Sequence, residues 1–503
     1  MKKTIDFLKT CLIYLLAVSM LTAAGLYINA RQIAGQSEEI PREKMRIFKI
    51  GGMALAEIDE NHIAPLQITV TVGGESFTAV YSHKSVLDVY ERRIKDSVRD
   101  IFGKNSECRI LGKAEGDALW GKCAGLDNSV YIKYAGNYIY PFIYTFLDRE
   151  WDIRNSADDF SGELAMVREL FIVDDGDVGG VTKDMYGNVS RFVPPPEAKN
   201  RIRQRLGDSV LAGYKDIARL VPCAFLKTGE LGLQAGNLKF SESFHLFWNY
   251  DKYSFVLEFS IPFLDAENKI NTDHAYIKNL FSVLNFNIEN SAAYSEGNGM
   301  TFRDSRNTVR FYDDGQIIYS HRPSDPDDPG GVHLAKFLGY GDDYYTYYEK
   351  IKAASAFVGN LEREPAESEY RIYLKNAAID AEGRMRVVFA YCFEGIEIKI
   401  NGSDEAIVLT INENSFTQIK INSLYLSPSR KELVKTRNPI FELGMIDREI
   451  SGALQDPAQK KEDIGRKYNL AYDAPSGRFV VGEFGLVYKT DGKGVARATW
   501  ELR

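Results

Sequence analysis

The sequence predicts an α+β protein of several domains, built mostly from antiparallel sheets with packed helices and preceded by one N-terminal transmembrane helix. Three observations carry this expectation. Aromatic and β-branched residues alternate with polar ones in short runs such as Val130-Tyr131-Ile132-Lys133-Tyr134, in a chain holding 29 tyrosines and 28 phenylalanines; that is the pattern of half-buried strands. Elsewhere apolar residues recur at helical spacing, as in Val86, Leu87, Tyr90, Ile94, Val98 and Ile101. Finally, Cys11 to Ala30 carries no formal charge and is rich in Leu, Ala, Ile and Val.

That last segment is long enough to cross a hydrocarbon core of about 30 Å at 1.5 Å of rise per residue. Thr22-Ala23-Ala24 offers a weak small-x-small cleavage site, so a removed signal peptide is the alternative. The apolar run continues through Leu26, Tyr27 and Ile28, which favours a retained anchor. Lys2, Lys3 and Lys9 precede the span, and Arg31, Arg42, Lys44, Arg46 and Lys49 follow it, so flanking charge does not set orientation. A short basic head is the usual cytoplasmic end of a signal anchor, and long domains translocate largely regardless of charge. The expected topology is therefore a single pass in the cell membrane with residues 1–10 cytoplasmic and the bulk outside. Ser19 and Ala23 are four apart on one helix face, with Leu12, Leu15 and Leu16 supplying volume on the preceding turns. Small residues at that spacing permit a partner helix to approach closely in lipid, though such pairs also arise by chance in an Ala-rich span.

At 503 residues the chain exceeds a single core, and 45% hydrophobic with 26% charged residues is a composition that folds. Residues 31–64 turn polar and read as a stalk. An N-terminal α+β domain, 65–193, opens with a hairpin, Leu66 to Val72 and Ser76 to Tyr81, about Gly73-Gly74. The helix containing Val86 to Ile101 follows, with Ser82 or Ser85 as N-cap and Gly103 as its stop. Strand-like Val130 to Tyr134 and the apolar Tyr138 to Leu147 lead to a meander, Met166 to Val173, Val181 to Met185 and Asn188 to Phe192. Pro194-Pro195-Pro196 forces extended backbone and marks the first boundary. The middle α+β domain, 194–323, contains a helical stretch Glu197 to Leu220, a strand Phe255 to Ile261, a helix Ala275 to Leu284 and the hairpin Thr308 to Tyr312 and Gln316 to Tyr319. Turn chemistry in Ser324 to Gly331 places a linker at 324–343. The C-terminal domain, 344–503, is β-rich: a helix Tyr344 to Phe357, then strands at Tyr370 to Ile379, Arg386 to Phe393, Ile396 to Ile400, Ala406 to Ile411 and Phe416 to Leu426. A helix near Pro439 to Ala453 precedes closing strands that end at Val495 to Leu502.

The net charge of −8, with acids and bases interleaved, argues against a nucleic-acid partner. Cys108, Cys123, Cys223 and Cys392 form no CxxC pair, and Cys108 with Cys123 could bridge only in an oxidising compartment and with suitable geometry. His62, His83, His245, His274, His321 and His333 show no ligand spacing, so neither a metal nor another cofactor is expected. Gly207-Asp208-Ser209 matches the nucleophile block of one hydrolase class, but it sits in a helix-like stretch, and Asp59 to His62 precedes it where such a class would place that pair late. Gly116 to Lys122 fits seven positions of a phosphate loop, yet Cys123 replaces the magnesium-holding Ser or Thr and no strand leads in. Asp174-Asp175-Gly176-Asp177 lacks the alternating ligands of a calcium loop and reads as a turn, as does Asp325 to Asp328. With 70 acids, catalytic carboxylate pairs can form in space without any sequence signal.

Leu284-Asn285-Phe286-Asn287, then Ala293 to Gly299 and Asn307 to Tyr319, resemble the middle of YycH-type proteins, membrane-anchored extracytoplasmic regulators of a two-component sensor histidine kinase. Ser129 to Leu147 and the β-rich final third also fit; the latter is similar to the domain that YycH shares with its companion YycI. The resemblance implies a non-enzymatic ectodomain in complex with the kinase and a YycI-like partner, tuning cell-wall metabolism genes partly through the membrane helix. Tyr344-Tyr345-Thr346-Tyr347-Tyr348 departs from that pattern. The alternatives from the residues alone are an extracytoplasmic cell-wall glycan hydrolase, whose aromatics would line a groove, and a ligand-binding ectodomain.

Overall fold

The computed structural model describes residues 49–50, 53–54, 63, 65–79, 86, 89–147, 165–174, 176–207, 220–227, 236–240, 245–248, 253–322, 330–342, 344–361, 370–393, 395–423, 425–436, 438–456, 459–468, 470–482, 484–490 and 494–502. The chain divides into two compact units, Met1–Leu55 and Ala56–Arg503. In the first, Lys49–Ile50 pairs antiparallel with Met53–Ala54. The second is α+β with mostly antiparallel sheets. The cytoplasmic head and the span predicted over Cys11 to Ala30, with Leu12, Leu15, Leu16, Ser19 and Ala23, lie outside the described residues; among those described, no helix is long and apolar enough to cross a membrane.

Among the described residues one sheet of nine strands runs, in spatial order, His245–Trp248, Leu220–Lys227, Glu75–Ala79, Pro65–Val72, Ser129–Ile139, Met166–Asp174, Val178–Lys183, Val189–Val193 and Glu107–Ile110, each pair antiparallel. The hairpin predicted at Gly73-Gly74 forms, with both glycines at positive φ. Trp120 of the helix Lys113–Cys123 packs edge-on against Phe171 at 4.7 Å, over a core that includes Tyr131, Val173, Val181 and Val189. The phosphate-loop-like Gly116 lies inside that helix, where a Cβ would meet Val189 at 2.9 Å. It packs a helix on a sheet. The helix Lys95–Ile101 sits on the other part of the sheet over Gly180, whose missing side chain admits Ile101: an added Cβ would lie 2.6 Å from it.

Among the described residues the larger sheet joins fourteen strands. Four successive antiparallel strands, Ala292–Glu296, Gly299–Arg303, Asn307–Tyr312 and Gln316–His321, form a meander from its edge inward, continued by Ser415–Asn422, Ile407–Asn412 and Met385–Phe393. Phe281, Phe302 and Phe311 pack as mutually edge-on rings beneath the meander, with Phe281–Phe302 at 5.1 Å. Beyond Met385–Phe393 the sheet passes through Ile396–Lys399, Phe484–Thr490, Val495–Leu502 and Tyr253–Ser260 to Tyr425–Lys435. A third, smaller core forms where Leu238–Phe240 pairs parallel with Arg478–Val481 and the helix Pro439–Gln455 covers it through Leu443 and Ile450.

Strand pairing crosses the boundaries read from sequence. Pro194-Pro195-Pro196 opens a helix, Pro196–Arg205, with proline in the first turn where its lacking N–H costs nothing. Leu220–Lys227 then returns to the first sheet beside Glu75–Ala79. Likewise Tyr253–Ser260, from the expected middle domain, pairs with Tyr425–Lys435 and Val495–Leu502 of the expected last one. A proline run fixes backbone but says nothing of which sheet the next strand joins. Cys108, Cys123, Cys223 and Cys392 are thiols, so Cys108 and Cys123 are not bridged.

The two large sheets meet at a pair of β-bulges. Ser129–Ile139 pairs with Met166–Asp174 at residues 129–133 and again at 138–139, so Tyr134–Asn137 leave that ladder, while Tyr134 stays paired with Pro65 on the other side. Opposite, the pairing of Tyr370–Ile379 shifts register between Leu374 and Asn376, releasing Lys375. The sheets touch beside these irregularities, where the Tyr138 side-chain hydroxyl donates to the Leu374 carbonyl. Gly136 abuts the same turn of chain, and a Cβ there would lie 2.5 Å from the Lys375 carbonyl oxygen and 2.6 Å from that of Leu374. Tyr90 and Tyr134 share a hydroxyl–hydroxyl bond of 3.2 Å, and Tyr373 and Cys392 pack against Leu66 and Ala135. The tyrosine-rich run closes the seam. Tyr347 donates to the Ala377 carbonyl at 2.8 Å, and Phe142 meets the Tyr347 and Tyr348 rings at 6.4 and 6.0 Å. Burial pushes the Tyr347 phenol up to about 12 and those of Tyr138 and Tyr134 higher still, so all three stay neutral donors at physiological pH. Because backbone carbonyls cannot swing aside as a side-chain tip does, Gly136→Ala is expected to destabilise the protein by about 1–3 kcal/mol; urea unfolding that leaves the midpoint unchanged would contradict the seam.

Candidate functional site

The helices on the first sheet enclose a cleft of about 700 Å³. The helix Lys95–Ile101 supplies Lys95, Arg99 and Asp100, and the loop after it supplies Lys104, Asn105 and Ser106. Tyr144 and Leu147 come from the helix Tyr140–Leu147, and Pro195, Ala198 and Arg201 from the start of Pro196–Arg205. Lys95 and Arg99 share a helical face because they are four residues apart. Four cationic side chains thus line the cleft against one carboxylate.

That carboxylate is already engaged. Arg201 forks onto Asp100 through Nη2 at 2.7 Å and Nε at 3.1 Å, and Arg205 donates to it at 2.6 Å. Its side chain is 11% exposed. Burial by itself would raise the Asp100 pKa, but the hydrogen bonds and charges of Arg201 and Arg205 outweigh it and hold the carboxyl below the usual range. A carboxyl ionised at neutral pH and claimed by two guanidinium groups is a poor general acid. Its role is to pin the helix Pro196–Arg205 against Lys95–Ile101, bringing Arg201 to the cleft.

The same basic helix is tied down along its length. Arg203 pairs with Asp174 at 2.9 Å, and Lys199 and Arg191 pair with Asp177 at 2.6 and 3.0 Å. The acidic Asp174 to Asp177 run therefore joins two strands and receives cationic side chains. Among the described residues no three His, Cys, Asp or Glu side chains gather in a group able to hold a metal. His321 donates through Nδ1 to Asn307 Oδ1 at 2.8 Å, and the same oxygen accepts from Tyr319 at 2.9 Å. The pair braces the Asn307–Tyr312 and Gln316–His321 hairpin.

The membrane-helix contacts predicted at Leu12, Leu15, Leu16, Ser19 and Ala23 lie outside the described residues, as do Asp59, His62, Asp208 and Ser209. The cleft was not foreseen from the sequence. Its only linear trace is a basic helix with lysine or arginine at 199, 201, 203 and 205, and the i,i+4 pair Lys95 and Arg99; neither reveals that the two helices adjoin.

No family model matches the chain, and no curated protein matches it. A solved structure of an uncharacterized protein from Eubacterium rectale bears a likeness over 55% of this chain and 85% of that one, with 13% identity and a TM-score of 0.31. A likeness of that degree assigns no function.

The Asp100 linkage makes a pH prediction. A carboxyl whose folded pKa is depressed contributes stability above its unfolded value of about 4, lost as pH falls through the lower folded value. Asp100→Asn is expected to cost about 1–2 kcal/mol at pH 7 and progressively less as pH drops below 4. Melting temperatures of the two proteins across pH 2–7 check this; a constant gap would remove the ion-pair account.

Proposed function

We propose that this chain is a non-enzymatic, membrane-anchored regulatory protein, with its bulk outside the cytoplasm, that modulates a two-component sensor histidine kinase controlling cell-wall metabolism. The reading includes a YycI-like companion and contacts made through both the transmembrane helix and the ectodomain. The observation that carries it is the place of the residues that resemble YycH-type proteins. Leu284 to Tyr319 fold as one unit, a helix end followed by the four-strand meander.

The outermost strand of that unit, Ala292–Glu296, ends the order of the larger sheet, and Ala292, Ala293, Tyr294 and Ser295 are exposed. An edge strand with small and aromatic side chains can receive a partner's strand through backbone hydrogen bonds. A regulator biases a kinase only by contacting its signalling states with different free energies. A body welded at the bulge seam and linked to a membrane helix suits that task, since a contact made far from the bilayer is not dissipated in an internal hinge. The cleft favours a second reading, a ligand-binding ectodomain, which is compatible with regulation.

Crosslinking the full chain in intact membranes is expected to recover a histidine kinase and a YycI-like protein, and recovery of neither would overturn the proposal. Exchanging Cys11 to Ala30 for an unrelated spanning helix is expected to lower or raise kinase-dependent transcription several-fold while leaving the protein in the membrane; unchanged output would confine the contact to the ectodomain.

A further inference from the structure

We infer that the outer edge of Ala292–Glu296 binds an acidic polypeptide strand, which adds to the larger sheet through its backbone and sets a carboxylate toward Arg303. The inference deepens the edge contact of the regulatory reading and rests on that contact alone, so it holds for any partner presenting such a strand.

The edge is open. Ala292–Glu296 ends the order of the larger sheet and pairs with Gly299–Arg303 through five consecutive residue pairs without a register shift. Ala292, Ala293, Tyr294 and Ser295 are exposed, and among the described residues no strand lies outside them. Sheet edges usually carry a device against pairing, such as a proline, a lysine or a bulge. At the far end of the same sheet Tyr425–Lys435 contains Pro428, Arg430 and Lys431, and its pairing with Tyr253–Ser260 is broken by two register shifts. Ala292–Glu296 has no proline, no lysine and no bulge.

Charge selects the partner. Register sorts the side chains of the meander onto two faces. Phe302, Val309, Phe311, Ile317 and Tyr319 are buried on one. On the other, Ala292 lies opposite Arg303, and Tyr294 opposite Thr301 begins a row that continues through Arg310 and Ile318 to Lys420. Arg303 and Arg310 are exposed diagonal neighbours on adjacent strands. Among the described residues neither these two nor Lys420 makes a side-chain ion pair or hydrogen bond. Like charges that close repel, so the face stays positive although the chain as a whole carries −8.

A strand added beside Ala292–Glu296 lies two strand spacings, about 10 Å, from Arg303. An acidic residue opposite Ala292 and the long arginine side chain close that gap between them, passing over a single methyl group. The partner residue two positions along lands on the Tyr294 ring. A lysine or arginine in place of the acid meets a positive face and is rejected. Backbone pairing supplies affinity and the alternate side chains supply selection. The unpaired backbone edge favours a polypeptide over a phosphate polymer, which would answer the charge and leave the edge unused.

The test uses the full chain in phosphatidylcholine nanodiscs and a short fluorescent peptide in which aspartate alternates with valine and threonine, followed by anisotropy and amide hydrogen exchange. Saturable binding is expected, with slowed exchange across Ala292–Glu296. Affinity is expected to fall roughly tenfold or more with the double substitution R303E/R310E at unchanged melting temperature, and equally when the peptide's aspartates are replaced by lysine. Should R303E/R310E fail to fold, the lysine peptide on the unaltered chain decides. Absence of saturable binding, or equal binding of the lysine peptide, would overturn the inference. Binding that leaves exchange across Ala292–Glu296 unchanged, as inorganic polyphosphate would give, also overturns it, because charge then acts without strand addition. Protection that appears without peptide and grows with protein concentration assigns the edge to a second copy and has the same force. Peptide binding by a chain whose crosslinking recovers no histidine kinase leaves the strand site standing while the regulatory reading falls, and the reverse pair of results strikes the strand site alone.

Discussion

The contact between the two bulges is the constraint on which the rest of the second unit depends. Two large sheets could each bury one face and remain separate bodies. Here each interrupts its own ladder at the point where they meet, Tyr134–Asn137 on one side and Lys375 on the other. The Leu374 carbonyl accepts from the Tyr138 hydroxyl, and Lys375 turns its ammonium to Glu397 and Asp404. Gly136 sets the distance, since no other residue fits between its backbone and the two carbonyls.

From that contact the neighbouring features follow. The aromatic rings of Tyr90, Tyr134, Tyr138, Phe142 and Tyr347 surround it and exclude water, which keeps the polar contacts strong. The helix Tyr347–Leu361 begins beside it with a capping box: Thr346 accepts from the Glu349 backbone N–H at 3.3 Å, and the buried Glu349 accepts from the Thr346 N–H at 2.9 Å. Tyr340 donates to the same carboxylate. The cleft lies one helix away, because Tyr140–Leu147 turns Phe142 to the seam and Tyr144 to the cations.

The strands were legible in the sequence because their signals are local. Gly73-Gly74, Asp313-Asp314-Gly315 and Asn401-Gly402 all sit at turns, and Tyr370 to Ile379 and Val495 to Leu502 run as the alternation indicates. The helix Ala275–Leu284 matches its predicted limits for the same reason. The assembly was not legible. Nothing in Leu238–Phe240 marks it as a partner of Arg478–Val481, more than two hundred residues away, and Pro194-Pro195-Pro196 signals a stiff segment whether the chain leaves a sheet or returns to it. The strand Glu107–Ile110 and the helix Lys461–Tyr468 are short and polar and carry too little periodicity to detect. The Tyr344 to Tyr348 run read as a departure from a family pattern; its position shows a structural use, with Tyr345 buried and Tyr347 on the seam while Tyr344 faces solvent. The cleft was hidden because its cations come from segments about one hundred residues apart and acquire meaning only when Asp100 brings them together.

Native-state hydrogen exchange tests the central claim most directly. If the bulge contact makes one cooperative body, the slowest amides of Met166–Asp174 in the first sheet and of Ile407–Asn412 in the second open with the same free energy and the same denaturant dependence, as members of one unfolding unit do. Two distinct opening free energies, with one sheet losing protection while the other keeps it, would contradict the account and return the protein to two bodies in casual contact.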